Sequence, residues 1–395
     1  MDSHSQNAER FVQAKRCVLK IGSTLFVDRA SGNLQRNWLE GVCADVAYMR
    51  AQGQDVVIVS SGAIALGAGS LGIDPLTHRL QESQAAAAVG QIRLAHAYQE
   101  ILGTHGIAAA QVLLTLDDSE NRRRYLNAAN TLFTLLKRGA VPVVNENDTV
   151  ATEEIRYGDN DRLAARVAQM VSADCLILLS DVDGFYSADP NVDPDAEHIE
   201  EISALTDAHL RMAGGAGSAY GSGGMRTKLD AARIAMGAGC RMVIASGHVP
   251  NPLKALREGA RSTWFLPGST PRASRKQWIA GTLKPRGALT VDDGAKRALR
   301  SGRSLLPAGV TAVDGDFERG DAVRVTDRLG SELGRGLVAY PADEARAIAG
   351  QRSDAIEDLL GYRGRDELIH RDDLALLIDT LPASTISNPD APSRE

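Results

Sequence analysis

Cysteine is scarce in this chain: four among 395 residues, at Cys17, Cys43, Cys175 and Cys240, each more than twenty positions from the next. No CxxC pair exists, which argues against a zinc knuckle or a redox dithiol. The simple expectation is a reduced, cytoplasmic protein. Cys17 and Cys175 sit in apolar runs and read as small buried hydrophobes. Aromatics are only 4% of the residues. The eight lysines never follow a glycine, so there is no Walker A loop. The eight histidines show no metal-ligand spacing, and no GxSxG motif with partners suggests a hydrolase triad. No apolar run approaches the ~20 residues needed to cross a bilayer. The first ten residues, MDSHSQNAER, are polar, so no signal peptide is expected. A net charge of −6 provides no global attraction to nucleic acid or to an acidic membrane.

What is present is a globular composition, 44% hydrophobic and 24% charged, with 38 glycines. The length suits two or three domains. Short apolar runs at Cys17–Ile21, Val56–Ser60, Ala109–Leu114, Val141–Asn145, Cys175–Ser180 and Met242–Ala245 alternate with helical patterns near 37–51, 80–102, 122–137, 161–172 and 225–238. Asn37 is placed to cap the first helix and Gly53 to end it. The runs show little in/out alternation, as strands buried on both faces should. The expectation is an α/β fold, a three-layer αβα sandwich with a mainly parallel central sheet. Ligands in such folds bind beyond the carboxyl ends of the strands. Pro267 to Pro271 reads as the start of a linker. After it the segments become short and glycine-punctuated, with period-2 patterning at Asp321–Thr326 and Gly336–Tyr340. The expected organisation is a disordered stretch 1–14, a first domain 15–266, a linker 267–279, a small β-rich domain 280–362 and a disordered tail 381–395.

Five clusters could carry chemistry. Lys20-Ile21-Gly22-Ser23-Thr24 leaves the first strand with an ammonium and a glycine turn. Ser60-Ser61-Gly62 leaves the second, its hydroxyls able to cap a helix or bind a carboxylate. The overlapping GAGSLG at Gly67 matches a dinucleotide fingerprint but starts too far from its strand. Asn145-Glu146-Asn147-Asp148 and Gly158-Asp159-Asn160-Asp161 combine amides and acids. Asp159 is a plausible N-cap with Asp161 in the first turn. The mixture suits an amino-acid ligand, with carboxylates accepting from its ammonium and amides donating to its carboxylate. The acidic oxygens would also suit magnesium. Ser180-Asp181 ends another strand. The stretch from Gly214 to Lys228 is a glycine loop feeding a helix start, a good phosphate cradle. His370-Arg371-Asp372 resembles a kinase catalytic loop but lacks the DFG that should follow. Two lysines on separate strand–helix units, with acids and amides between them, suit phosphoryl transfer to an acidic acceptor.

The motifs KIGST, SSGAIALG, NENDTVAT, GDND, SDVDGFY and GSGGMRTK together resemble the glutamate 5-kinase family of the amino-acid kinase superfamily, over roughly residues 15–265. Residues of about 280–360 resemble the PUA domain that many bacterial members carry. The resemblance implies ATP-dependent phosphorylation of L-glutamate with magnesium, as the first step of proline synthesis, with proline as inhibitor. It implies that Lys20 and Lys228 neutralise the transferring group and that Asp161 orients them. Ser61, Asn145, Asp148, Asp159 and Asn160 would bind glutamate. Gly22 and Ser23 would lie against the phosphates, and Ser180, Asp181 and Ser222-Gly223-Gly224-Met225-Arg226-Thr227-Lys228 would contact ATP. No acidic residue is singled out for the metal. A homo-oligomer and a glutamyl phosphate reductase partner are further expectations of the resemblance. No reductase domain is evident, as in a monofunctional form. RNA binding by the PUA-like domain is disfavoured, because residues 276–362 carry 13 Lys+Arg against 13 Asp+Glu, a net charge of zero. A kinase for another acceptor, an RNA-binding protein on a vestigial kinase fold, and a dehydrogenase using GAGSLG are the alternatives.

Overall fold

A computed structural model describes residues 3–28, 32–73, 79–150, 159–213, 224–281 and 284–377. The chain divides into two units, 1–271 and 272–395. In the first, α1 (Ser3–Val12) leads to β1 (Arg16–Ile21), α2 (Ser23–Phe26), α3 (Arg36–Ala51) and β2 (Asp55–Ser60). Then come α4 (Ala63–Leu71), α5 (Leu80–Thr104), β3 (Ala109–Leu114), α6 (Leu116–Glu120), α7 (Arg122–Lys137) and β4 (Val141–Glu146). Next are α8 (Asp159–Met170), β5 (Cys175–Ser180), the pair β6 (Phe185–Tyr186) and β7 (His198–Ile199), and β8 (Glu201–Ile202). The unit closes with α9 (Asp207–Met212), α10 (Met225–Gly237), β9 (Arg241–Ser246), α11 (Pro252–Arg257) and β10 (Ser262–Phe265).

The strands form one eight-stranded sheet in the order β3-β4-β2-β1-β5-β9-β10-β8. From β3 to β9 all pairings are parallel, and β10 runs antiparallel to β9. Both faces are apolar, yet period-2 geometry still sorts them. Leu19, Ile21, Val56, Ile58, Ile177 and Val243 pack on one side with α3, α5 and α11. Val18, Val57, Val59, Leu176, Leu178 and Ile244 pack on the other with α7, α8 and α10. This is the expected αβα sandwich. Burying each Val, Leu or Ile contributes about 1.5–3 kcal/mol, which is why strands without polar faces persist here. The four cysteines are buried thiols.

Gly67 and Gly90 have a packing purpose. A Cβ on Gly67 would lie 1.9 Å from the Ala86 carbonyl oxygen, and one on Gly90 would lie 1.7 Å from that of Ala63. α4 and α5 therefore touch backbone to backbone. GAGSLG lies within and just after α4 rather than at a strand end, so the dinucleotide alternative loses its structural context.

Four expectations are corrected. Residues 3–12 form α1 rather than a disordered start. Phe11 and Ala14 are buried, and the Gln54 amide donates to both of their carbonyls, at 3.2 and 2.8 Å. One aromatic anchor outweighs a polar composition. Asn37 lies inside α3, whose cap position is Gln35, although Gly53 does follow the helix end with φ 81°. Most of the expected linker 267–279 is instead α12 (Pro271–Gly281). Proline is well suited to the first turn of a helix, and Ile279 is fully buried. The β-rich unit also continues past residue 362, because a strand over Leu374–Leu376 pairs with its neighbour Glu332–Leu337.

In that second unit α12 precedes β11 (Gly287–Val291), α13 (Asp293–Arg300), β12 (Val310–Gly315), β13 (Ala322–Asp327) and β14 (Glu332–Leu337). α14 (Ala342–Ile348), α15 (Ile356–Leu360) and β15 (Leu374–Leu376) follow. The sheet order is β12-β11-β13-β14-β15. Its own core includes Leu289, Val323, Val325, Tyr340, Leu368 and Ile369. His370 accepts from the Asp372 N–H at 3.3 Å, so the HRD triplet is the capped start of a short 3-10 helix. The tail 381–395 lies outside the described residues.

Candidate active site

Parallel strands end on one edge, and the sheet order decides which ends are neighbours. β1 lies between β2 and β5, and β4 lies beyond β2. Ser61 and Asn145 therefore fall to one side of Lys20, and Ser180 and Asp181 to the other. The strand that carries the lysine thus separates Ser61 and Asn145, expected to hold an acceptor, from Ser180 and Asp181, expected to hold a nucleotide.

Lys20 is the fifth residue of β1, with its stem in the sheet and its ammonium near the carboxyl edge. Gly22 follows, where a Cβ would stand 3.7 Å from that ammonium. Its φ of −77° is ordinary, so the glycine serves open space rather than backbone strain. Ser23 begins α2 and is half-buried. Opposite, Asp161 in the first turn of α8 is fully buried. Its Oδ1 lies 2.6 Å from Lys20 Nζ, and its Oδ2 lies 3.3 Å from Lys228 Nζ. The Thr227 hydroxyl shares its one proton between Oδ2 at 3.1 Å and the Gly224 carbonyl at 2.9 Å. One carboxylate thus holds lysines from β1 and α10. Burial pushes the Asp161 carboxyl up. The charges of Lys20 and Lys228, with hydrogen bonds from Lys20 and Thr227, more than offset this and hold it below the usual carboxylate range. Two ammoniums against one carboxylate leave one positive charge in excess, which suits an incoming phosphoryl group.

α10 begins after Gly224, a cap residue that has no side chain to bond its first amides. Free N–H groups at a helix start, with a lysine one turn on, are a chemistry that suits an anion. Met225 is half-buried and Arg226 exposed. Ser222 and Gly223 lie outside the described residues. On the neighbouring strand end, the Ser180 hydroxyl donates to Asp181 at 2.9 Å and its carbonyl accepts from Gly247 N–H at 2.7 Å.

On the other side, Ser61 donates through its hydroxyl to the Ile21 carbonyl at 3.1 Å, tying the ends of β1 and β2 together. Gly62 has φ 98° and no room for a side chain, since a Cβ would meet Phe26 at 3.0 Å and Ser23 at 3.2 Å. Ser60 and Ser61 do not cap α4. Ser60 instead accepts from the buried Tyr98 hydroxyl at 3.0 Å. Asn145 and Asp148 are buried. Asn145 Nδ2 donates to Gln91 Oε1 at 2.7 Å, and its Oδ1 accepts from Glu146 N–H at 2.9 Å and Asn160 Nδ2 at 3.2 Å. Asp159 is already helical, as the first residue of α8 rather than its cap, and its side chain lies outside the described set. The structure thus brings NEND and GDND together through an amide contact. It adds Gln91 of α5, which no sequence motif marked. The available signal was one amide in the alanine-rich stretch AAAAVGQIRLA.

Residues 15–246 match the amino acid kinase family, and residues 287–360 match the PUA domain. The glutamate 5-kinase of Paramagnetospirillum magneticum is 64% identical over 92% of this chain and 98% of its own length. The chain belongs to the glutamate 5-kinase family. Its similarity to the glutamate 5-kinases of Rhodospirillum rubrum and Agrobacterium fabrum is 61% and 58% identity, each over 91% of this chain and over 96% and 92% of theirs. The fold and the second domain expected from the motifs are those of this family.

Proposed function

We propose that the chain is a glutamate 5-kinase that transfers the γ-phosphoryl group of ATP to the γ-carboxylate of L-glutamate. The observation that carries this reading is the Lys20–Asp161–Lys228 bridge between an amide-and-acid side and a glycine-rich helix start. An ionised carboxylate is already a nucleophile at neutral pH, so no general base is required. One of its oxygens attacks the γ-phosphorus, the bond to the bridging oxygen of ADP breaks, and ADP leaves with that electron pair. The work left to the protein is placement and charge neutralisation. Lys20 and Lys228 stabilise the equatorial oxygens, and Asp161 keeps the two ammoniums at a fixed separation. Ser61, Asn145, Asp148, Asp159 and Asn160 hold the acceptor. Gly22, Ser23, Ser180, Asp181 and the Ser222–Lys228 stretch hold ATP.

Magnesium on nucleotide phosphates needs only one or two protein carboxylates and keeps several waters. Asp161 is not such a ligand, since both of its oxygens face ammoniums. Asp181, among the residues proposed to hold ATP, has the hard oxygens that would fit the ion. It would supply further neutralisation of the phosphate charge. Among the described residues no group of three or more His, Cys, Asp or Glu side chains gathers as a metal site, and no helix is long and apolar enough to cross a membrane. The finer parts of the reading are a cytoplasmic location, inhibition by proline, a homo-oligomer, and delivery of the product to a glutamyl phosphate reductase. The family resemblance supports these parts. Steady-state kinetics with glutamate, aspartate, N-acetylglutamate and uridylate test the acceptor. Turnover should be confined to glutamate, and equal kcat/KM for aspartate would refute the reading.

A further inference from the structure

The amide chain through Asn145 has a direction, and the direction identifies two unused groups. The Glu146 backbone N–H is a donor only, so the Asn145 atom facing it is the carbonyl oxygen. Asn145 then presents its NH2 to Gln91, which must answer with its own oxygen. The same Asn145 oxygen accepts from Asn160, which must answer with its NH2. Both outer amides are thereby fixed, with a donor left over on Gln91 and an acceptor left over on Asn160. Gln91 Nε2 and Asn160 Oδ1 are buried and have no hydrogen-bond partner among the described residues. A buried polar atom left unmet costs about 1–3 kcal/mol, so such a pair at the carboxyl edge calls for a ligand. A free amino acid supplies the complement: a carboxylate for the donor and an ammonium for the acceptor.

We propose that Gln91 is a specificity-determining residue of the acceptor site. Its amide N–H binds the α-carboxylate of the acceptor, while the Asn160 carbonyl binds the α-ammonium. The α-carboxylate is thereby held, and the γ-carboxylate is left as the nucleophile. The inference rests on the acceptor being glutamate, as proposed above, and adds a residue from α5 to the acceptor set. The α5 backbone is braced against α4 by the Gly67–Gly90 contact, so the position of Gln91 does not depend on a loop.

Gln91→Glu tests this, because it keeps the oxygen that Asn145 needs and replaces the donor with an acceptor. The probes are L-glutamate and L-isoglutamine, whose α-carboxamide can donate where glutamate cannot. The wild-type protein should favour glutamate strongly. In Gln91→Glu, kcat/KM for glutamate should fall about 10- to 100-fold, the scale of one hydrogen bond to a charged group. The fall should come through KM, with the KM for ATP unmoved. The glutamate-to-isoglutamine preference should shrink at least tenfold. A preference within threefold of wild type, or a parallel rise in the KM for ATP, would overturn the proposal. Gln91→Met serves if the first variant does not fold. It should raise the KM for glutamate by a similar factor without aiding isoglutamine, and a KM within threefold of wild type would again overturn the proposal. Failure of the wild-type protein to phosphorylate glutamate would instead overturn the functional reading, and the role of Gln91 with it.

Discussion

Asp161 is the residue on which the site balances. Its cost of burial is offset only because two ammoniums and a hydroxyl face it. Lys228→Ala removes one of those charges and one donor to the phosphoryl group. A drop in kcat of at least ~10² is expected, the scale for losing a preorganised donor; near wild-type kcat would remove Lys228 from the chemistry. Asp161 also has a signature in pH. A carboxyl held below its unfolded value stabilises the fold above the unfolded pKa of about 3.9, and that stability disappears as pH falls through the folded value. Wild type should therefore exceed Asp161→Asn in stability at pH 6, and the gap should narrow towards pH 3. Denaturant melts of both proteins across that range measure it, and a constant gap would contradict the assignment.

At the scale of elements, the close approach of α4 and α5 links packing to the site. Gly90→Ala would drive a methyl group into the Ala63 carbonyl. Overpacking of this kind costs on the order of 3 kcal/mol, or roughly 6–12 °C in Tm for a domain of this size. Scanning calorimetry should show that loss, with a raised KM for glutamate because Gln91 is the next residue. Six strands of the large sheet and the longer helices between them were legible in the sequence. Continuous apolar runs such as Cys175–Ser180 announce strands covered on both faces, and Gly53 marks the end of α3. The lysines, acids and amides at strand ends were legible because the architecture gives those positions a role. Gln91 was not, because a side chain in mid-helix becomes a site residue only through tertiary packing. α1 was hidden because a single apolar contact, Phe11, anchors it. α12 was hidden because proline and glycine mark helix ends as readily as linkers.

At the scale of the molecule, each unit has its own hydrophobic core, and every residue proposed for catalysis lies in the first. Removing residues 272–395 should leave kcat for glutamate phosphorylation within a fewfold of the full chain. A loss beyond ~10² in a folded truncation would place part of the active site in the second unit.

The central claim is that a γ-carboxylate oxygen attacks the γ-phosphorus of ATP between Lys20 and Lys228. Glutamate labelled with 18O in the γ-carboxylate, incubated with ATP, magnesium and hydroxylamine, tests it directly. Hydroxylamine attacks the acyl carbon and expels phosphate, so each hydroxamate formed should be matched by one phosphate carrying one 18O. Hydroxamate accompanied by unlabelled phosphate, or no hydroxamate at all, would contradict the account.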